Sequence, residues 1–214
     1  MKRYIKAAVV NPLDEEPGVR CDIARETEDL NLIDEFVKDD AYKVRLALAN
    51  NPNISEDVLD SIISNEWNQE QLLHDSSTLP IVLRKIYNEY NTHYNRKDLA
   101  QHHNTPSDIL SEIWKTERGL RGVILMNPNV STELLWYAVN SENPHERSAV
   151  PFNSSATEDM LIKLSEDTDP EVLAAVASSP STPIEILQKL AQDADAGVRI
   201  SAKMTLRDLG EYTE

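Results

Sequence analysis

The sequence predicts an all-α protein: a right-handed α-solenoid of about seven two-helix repeats, each roughly 26 residues long. Three observations carry that prediction. Asn51-Pro52-Asn53-Ile54-Ser55-Glu56-Asp57-Val58-Leu59 returns as Asn127-Pro128-Asn129-Val130-Ser131-Thr132-Glu133-Leu134-Leu135 and as Ser179-Pro180-Ser181-Thr182-Pro183-Ile184-Glu185-Ile186-Leu187. Leu59, Leu83, Leu110, Leu135, Leu161 and Leu187 form a ladder with steps of 24, 27, 25, 26 and 26 residues. A second ladder, Arg20, Arg45, Arg96, Arg121, Arg147 and Arg199, steps by 25, 51, 25, 26 and 52, the long steps being double periods. A fixed period of this length overrides a search for one globular core, because each unit buries its apolar face only against its neighbours.

The expected organisation is one domain over residues 1–214. Residues 1–17, with Ala8-Val9-Val10-Asn11-Pro12, read as half a unit and an N-terminal cap. Repeats fill 18–197, and a helix from Val198 to about Leu209 within 198–214 caps the other end.

Within a unit, the first helix starts near the arginine. Three residues later comes an apolar side chain (Ile23, Leu48, Leu99, Ile124, Val150, Val176, Ala202), followed by a small or apolar one (Ala24, Ala49, Ala100, Leu125, Pro151, Ala177). That pair is read as core-facing. Pro151 would break a long α-helix, so this first helix is expected to be short and partly 3₁₀. A turn follows at Asn51-Pro52, Asn127-Pro128, Asn153-Ser154 and Ser179-Pro180, where Asn tolerates tight backbone and Pro stops the helix.

The second helix opens with start signals. Thr182-Pro183-Ile184-Glu185 reads as a capping box with Pro at the first helical position, and Thr105-Pro106-Ser107-Asp108 as a variant. Asp57, Asp108, Glu133, Asp159 and Glu185 place a carboxylate against the helix dipole. The anchor leucine and the residue three later (Ile62, Ile113, Ala138, Leu164, Leu190) have helical spacing. Residues 64–95 form an irregular unit, with Ser77-Thr78-Leu79-Pro80 as its turn and Tyr87 to Tyr94 as an extension.

The pattern V-R-x-x-L-A-x-N-P-x-T-P-x-E-x-L-x-x-L-A resembles the leucine-rich repeat variant family of bacterial proteins, best over Val44–Ile63, Leu120–Val139 and Val172–Ala191. The resemblance implies a HEAT-like array of alternating helices and implies no reaction. Some family members carry an N-terminal cysteine cluster for an iron–sulfur centre. Here Cys21 stands alone, and no cofactor is expected.

Composition narrows the function. The chain has 21 basic and 37 acidic residues, a formal charge of −16, spread along its length. Such a surface repels a phosphate backbone, so direct nucleic-acid binding is disfavoured. One cysteine allows neither a disulfide nor a thiolate metal site. Without a signal-peptide run or a membrane span, the expectation is a cytoplasmic protein.

No phosphate loop or framed nucleophile is present, so the chain is not read as an enzyme. The function expected is a protein–protein interaction scaffold or adaptor, with a basic partner where the acidity is used; the oligomeric state stays open. One alternative is an acidic nucleic-acid mimic that inhibits a DNA-binding protein. A second is an enzyme resembling HEAT-like DNA glycosylases, which the acidity argues against.

Candidate partner-binding residues depart from the pattern. Trp136, Tyr137 and Ile162 fall where most repeats place solvent-compatible residues, and would expose an aromatic patch unless the loop from Asn140 to Glu146 folds over it. Tyr87, Tyr90 and Tyr94 would share one face if their helix continues. The arginine ladder reads as structural: an acid often sits four or five residues earlier (Glu16, Asp40, Glu117, Asp195), and each arginine could bridge neighbouring loops. Trp114 sits at a core register. His102-His103, with His74 or His93, could be a metal site only with converging acids, which the sequence does not supply.

Overall fold

The computed structural model describes residues 11–211; most of the expected N-terminal cap lies outside them. The described residues are helical, with no strand. The chain divides into two compact units, Met1–Asn95 and Arg96–Glu214.

In the first unit, a short 3₁₀ turn at Pro12–Asp14 precedes three helix pairs: α1 (Pro17–Glu26) and α2 (Leu30–Phe36), α3 (Tyr42–Ala49) and α4 (Glu56–Ile63), α5 (Glu66–His74) and α6 (Pro80–Glu89). The division falls inside α7 (His93–Gln101). The second unit continues with α8 (Ser107–Thr116), α9 (Arg121–Leu125), α10 (Thr132–Val139), α11 (Pro144–Ala149), α12 (Glu158–Leu164), α13 (Pro170–Ser178), α14 (Ile184–Leu190) and α15 (Ala196–Asp208). First helices pack on first helices: α1 on α3 and α3 on α5 in one unit, and α9, α11, α13 and α15 in succession in the other. Pro151 ends α11 early, and Val150–Phe152 continues as 3₁₀ helix, since proline has no N–H to donate and crowds the carbonyl four residues back.

Burial follows the ladders. All six anchor leucines are buried, as are Ile62, Ile113, Ala138, Leu164 and Leu190. So are the pairs Leu48/Ala49, Leu99/Ala100, Ile124/Leu125 and Val176/Ala177.

The turns between paired helices use two chemistries. At Asn51, Asn127 and Asn153, each at most 5 % exposed, the carboxamide reaches one repeat back. Nδ2 donates to Ala24 O and Thr27 O (2.8 and 2.9 Å), to Ala100 O and His102 O (both 2.9 Å), and to Leu125 O and Asn127 O (2.7 and 2.9 Å). Oδ1 meanwhile accepts the N–H two residues on, from Asn53, Asn129 and Ser155. Three residues after these asparagines stand the apolar side chains Ile54, Val130 and Ala156.

Where the turn residue is Asp75, His102 or Ser179 instead, the residue three later is threonine. Thr78, Thr105 and Thr182 donate from Oγ1 to Leu72 O, Leu99 O and Val176 O at 2.6–2.7 Å, closing the end of their own first helix. Buried carbonyls need a donor in either case, and carboxamide and hydroxyl are alternative sources of one.

This corrects the expected capping boxes. Thr105 and Thr182 turn their hydroxyls back to the preceding helix, Pro106 and Pro183 take the N-cap position, and no side chain caps α8 or α14. Genuine side-chain caps occur at Ser55 and Ser131.

The irregular unit also departs locally. It has no ladder arginine; buried Asn68 and Gln69 donate to Ile62 O and Ile63 O at 2.8 and 2.7 Å, six residues back.

Candidate functional site

Helix α10 is capped by Ser131, whose hydroxyl accepts Leu134 N–H. It buries Leu135, Ala138 and Val139. Helical spacing therefore turns Glu133, Trp136, Tyr137 and Asn140 to another face. Tyr137 is 56 % exposed and Trp136 is half-buried.

Tyr137 stands edge-on to Trp114, with ring centroids 5.9 Å apart and planes at 87°. Trp114, 4 % exposed, is packing as its register implies, and the Arg121 guanidinium lies 4.7 Å from its ring centroid. Arg121 Nη1 meets Glu146 Oε1 at 3.2 Å, and Ser141 Oγ donates to Glu146 Oε2 at 2.8 Å. The exposed tyrosine thus rests on a ring, the ring on a cation, and the cation on a buried carboxylate. Such backing keeps an aromatic side chain in one orientation at little entropic cost.

Around this stack opens a groove of about 850 Å³, lined chiefly by Arg118, Arg121, Glu133, Trp136, Tyr137 and the 140–146 loop. The loop forms a wall of the groove and leaves Tyr137 exposed. Its shape is held by Arg147 Nη1, which donates to Ser141 O and Glu142 O (2.8 and 3.2 Å), and by Asn140 Nδ2, which donates to Trp136 O. Ile162 is 42 % exposed but lies outside the groove lining.

The tyrosine stripe does not form. Helix α6 ends at Glu89, Tyr90 is its C-cap, and Tyr94 belongs to α7. Tyr87 and Tyr90 are half-buried and Tyr94 is 80 % exposed. A helix that stops before the third residue gives i, i+3 and i+7 no common face.

The arginine ladder has different acid partners from those expected. Arg20 grips Asp39 in bidentate fashion (2.8 and 2.9 Å) and Arg147 grips Asp167 (2.6 and 3.1 Å). Arg96 pairs with Glu117 at 2.6 Å and Arg121 with Glu146. These acids lie about one repeat later in the chain, not four or five residues earlier. Backbone oxygens fill the local role: Arg20 donates to Glu15 O, Arg45 to Asp39 O and Asp40 O, and Arg199 to Asp193 O and Ala194 O.

A rigid guanidinium fork suits this double duty. Burial pushes the Asp39 and Asp167 carboxyls up, but hydrogen bonds from the arginines and from backbone N–H groups outweigh it and hold both below the usual range.

His102 occupies the position of the turn asparagines and is 5 % exposed. Its Nδ1 accepts Asn104 N–H at 3.1 Å, as asparagine Oδ1 does elsewhere. That lone pair is engaged in the turn. Among the described residues no group of three or more His, Cys, Asp or Glu side chains could hold a metal ion. Cys21 is half-buried and burial pushes its thiol up, opposite to what a nucleophilic thiolate needs. No helix among the described residues is long and apolar enough to cross a membrane.

Two features escaped the sequence reading. A second groove, about 390 Å³, lies in the first unit between α4 and α6, with Ile54, Leu59, Leu79 and Ile81 in its wall. At its edge Lys85 Nζ meets Glu56, Asp60 and Glu89 at 2.8, 2.6 and 3.0 Å, and these hold its ammonium well above the ordinary lysine value. The only readable signals were the i, i+4 pairs Glu56/Asp60 and Lys85/Glu89.

The chain matches no protein-family model, no curated protein and no solved structure.

Proposed function

We propose that the chain is an α-solenoid of the leucine-rich repeat variant kind and serves as a non-catalytic scaffold for protein–protein interaction, through the groove around Tyr137. The single observation that carries this reading is the braced aromatic stack. Tyr137 projects 56 % exposed into a groove of about 850 Å³, and its underside is fixed by Trp114 and Arg121. Exposed, pre-oriented aromatic residues are the commonest anchors of protein interfaces. The array reading is supported by side-chain bonds to backbone that recur at separations of 24 to 28 residues.

The acidic mimic has less support. Asp39, Glu117, Glu146 and Asp167 are engaged by ladder arginines, and Asp29, Asp169 and Asp195 cap helices. Those carboxylates have internal roles, whereas a mimic needs its carboxylates presented in rows.

Affinity capture from host lysate with wild type and with Trp136→Ala/Tyr137→Ala tests the reading. A specific protein retained at moderate salt by wild type and lost by a variant with unchanged melting temperature is the expected result. Capture only of basic nucleic-acid-binding proteins, removed by salt and indifferent to the substitutions, would refute it in favour of the mimic.

A further inference from the structure

The chemistry of the groove around Tyr137 narrows its occupant. We infer that it receives an arginine or lysine side chain from an extended basic segment of a partner protein, stacked on Tyr137 and Trp136 and met by the carboxylates of Glu133 and Glu142. This inference rests on the proposed binding role of the groove and adds the partner's chemistry.

Part of the charge in the groove is paired internally. Arg121 Nη1 pairs with Glu146 Oε1, and Arg121 is held against the Trp114 face. Glu133 and Glu142 also line the groove, both are exposed, and neither has an ion-pair partner among the described residues. Arg118 is the one exposed cation in the lining, so the uncommitted groove charge is net negative.

Glu133 stands one helical turn before Tyr137 on α10. A carboxylate and an aromatic face are thus presented side by side. This is the pairing that favours a guanidinium or ammonium over a neutral or anionic group, since the ring face and the carboxylate both attract positive charge. The field of the second unit points the same way: residues 96–214 carry 11 basic and 19 acidic side chains, which draws a cationic segment in before contact.

The test is fluorescence anisotropy with labelled peptides of equal length: an Arg–Gly repeat, a Ser–Gly repeat and a Glu–Gly repeat, at low and physiological salt. The proteins are wild type, Tyr137→Ala, Glu133→Gln/Glu142→Gln, Arg118→Gln, and a control that removes two exposed charges outside the groove, Glu158→Gln/Glu185→Gln. The expected result is preference for the Arg–Gly peptide, weakened about tenfold by Tyr137→Ala and clearly more by Glu133→Gln/Glu142→Gln than by the control, with Arg118→Gln neutral or tighter.

Binding of the Arg–Gly peptide that ignores Tyr137→Ala and falls equally in the control would show diffuse attraction and overturn the inference. Preference for the Glu–Gly or Ser–Gly peptide, still lost in Tyr137→Ala, would overturn the basic-segment inference while the groove kept its binding role. No Tyr137-dependent binding of any peptide would sink both.

Discussion

Replacing Asn153 by Asp keeps the shape of a buried side chain and reverses half of its hydrogen-bonding chemistry. Asn153 is 5 % exposed. Its Nδ2 donates to Leu125 O at 2.7 Å and Asn127 O at 2.9 Å, while Oδ1 accepts Ser155 N–H at 2.7 Å. An aspartate retains the acceptor and turns a second, anionic oxygen toward two carbonyls. Leu125 O loses its donor, which costs roughly 1–3 kcal/mol, and Asn127 O keeps Val130 N–H but faces an anionic oxygen in place of a donor, so the variant should lose about 2–5 kcal/mol at neutral pH.

For a chain of this size 1 kcal/mol moves the melting temperature by roughly 2–4 °C, so a fall of about 10 °C is expected in a calorimetric or circular-dichroism melt. The pH dependence gives a second check. A carboxyl facing two carbonyls titrates above the ordinary aspartate value of about 3.9. The folded chain then holds more protons than the unfolded chain between that value and the raised one. Stability falls as pH rises through this window, and the deficit relative to wild type should narrow as the pH approaches 4, where the protonated oxygen again donates. A melting temperature within 2 °C of wild type at pH 7, or a deficit independent of pH, would refute the claim that this carboxamide stabilises the stack through two buried bonds.

Ser179 offers the reverse experiment: its Oγ is buried without a hydrogen-bond partner, so Ser179→Asn, supplying a donor toward the preceding repeat, should gain about 1 kcal/mol in a denaturant melt, and a loss would show that Thr182 leaves no room. The depressed Asp167 carboxyl contributes stability that is complete above the unfolded value of about 3.9 and is lost as pH falls through the lower folded value. Asp167→Asn should therefore cost about 2 kcal/mol at pH 7 and flatten the loss of stability below pH 4; an unchanged acid limb would refute the assignment. Lys85→Met should leave Glu56, Asp60 and Glu89 repelling one another, so its melting temperature should fall at low salt and recover in part at high salt, whereas a salt-independent loss would point to packing alone.

The helix pairs were legible because periodicity reports burial directly. The anchor leucines and the apolar pairs such as Leu48/Ala49 occupy the positions their spacing implies. Partners of polar groups were less legible, because a hydrogen bond depends on where neighbouring turns come to rest. Arg147 has Glu142 close by in sequence yet takes only its carbonyl oxygen, and gives its fork to Asp167. Thr182 looked like a cap because Pro183 and Glu185 follow it, but the carbonyl of Val176 was the nearer need. For the candidate site, the outward register of Trp136 and Tyr137 was visible, whereas Trp114 and Arg121 beneath them were not. Those contacts join Tyr137 to Trp114, 23 positions earlier, and Trp114 to Arg121, 7 positions on, through tertiary packing. The tyrosine stripe failed at the end of a helix, where pattern alone says least.

The alternation between carboxamide and threonine turns gives the second unit an uneven grain. Asparagine bonds tie residues 100–102 to 127 and 125–127 to 153, and Thr205 Oγ1 ties to Ala177 O at 2.7 Å. At Ser179 no carboxamide crosses between neighbours, and threonine closes that turn on itself. In a nearest-neighbour array the free energy of each junction sets how far a local opening spreads. The junction ahead of α13 parts with loss of packing and of the Arg147–Asp167 pair, but of no carboxamide bond. Amide protons should therefore exchange in two blocks: α13 to α15 as one cooperative segment, joined by Thr205 to Ala177, and the asparagine-tied helices before it as another, slower one.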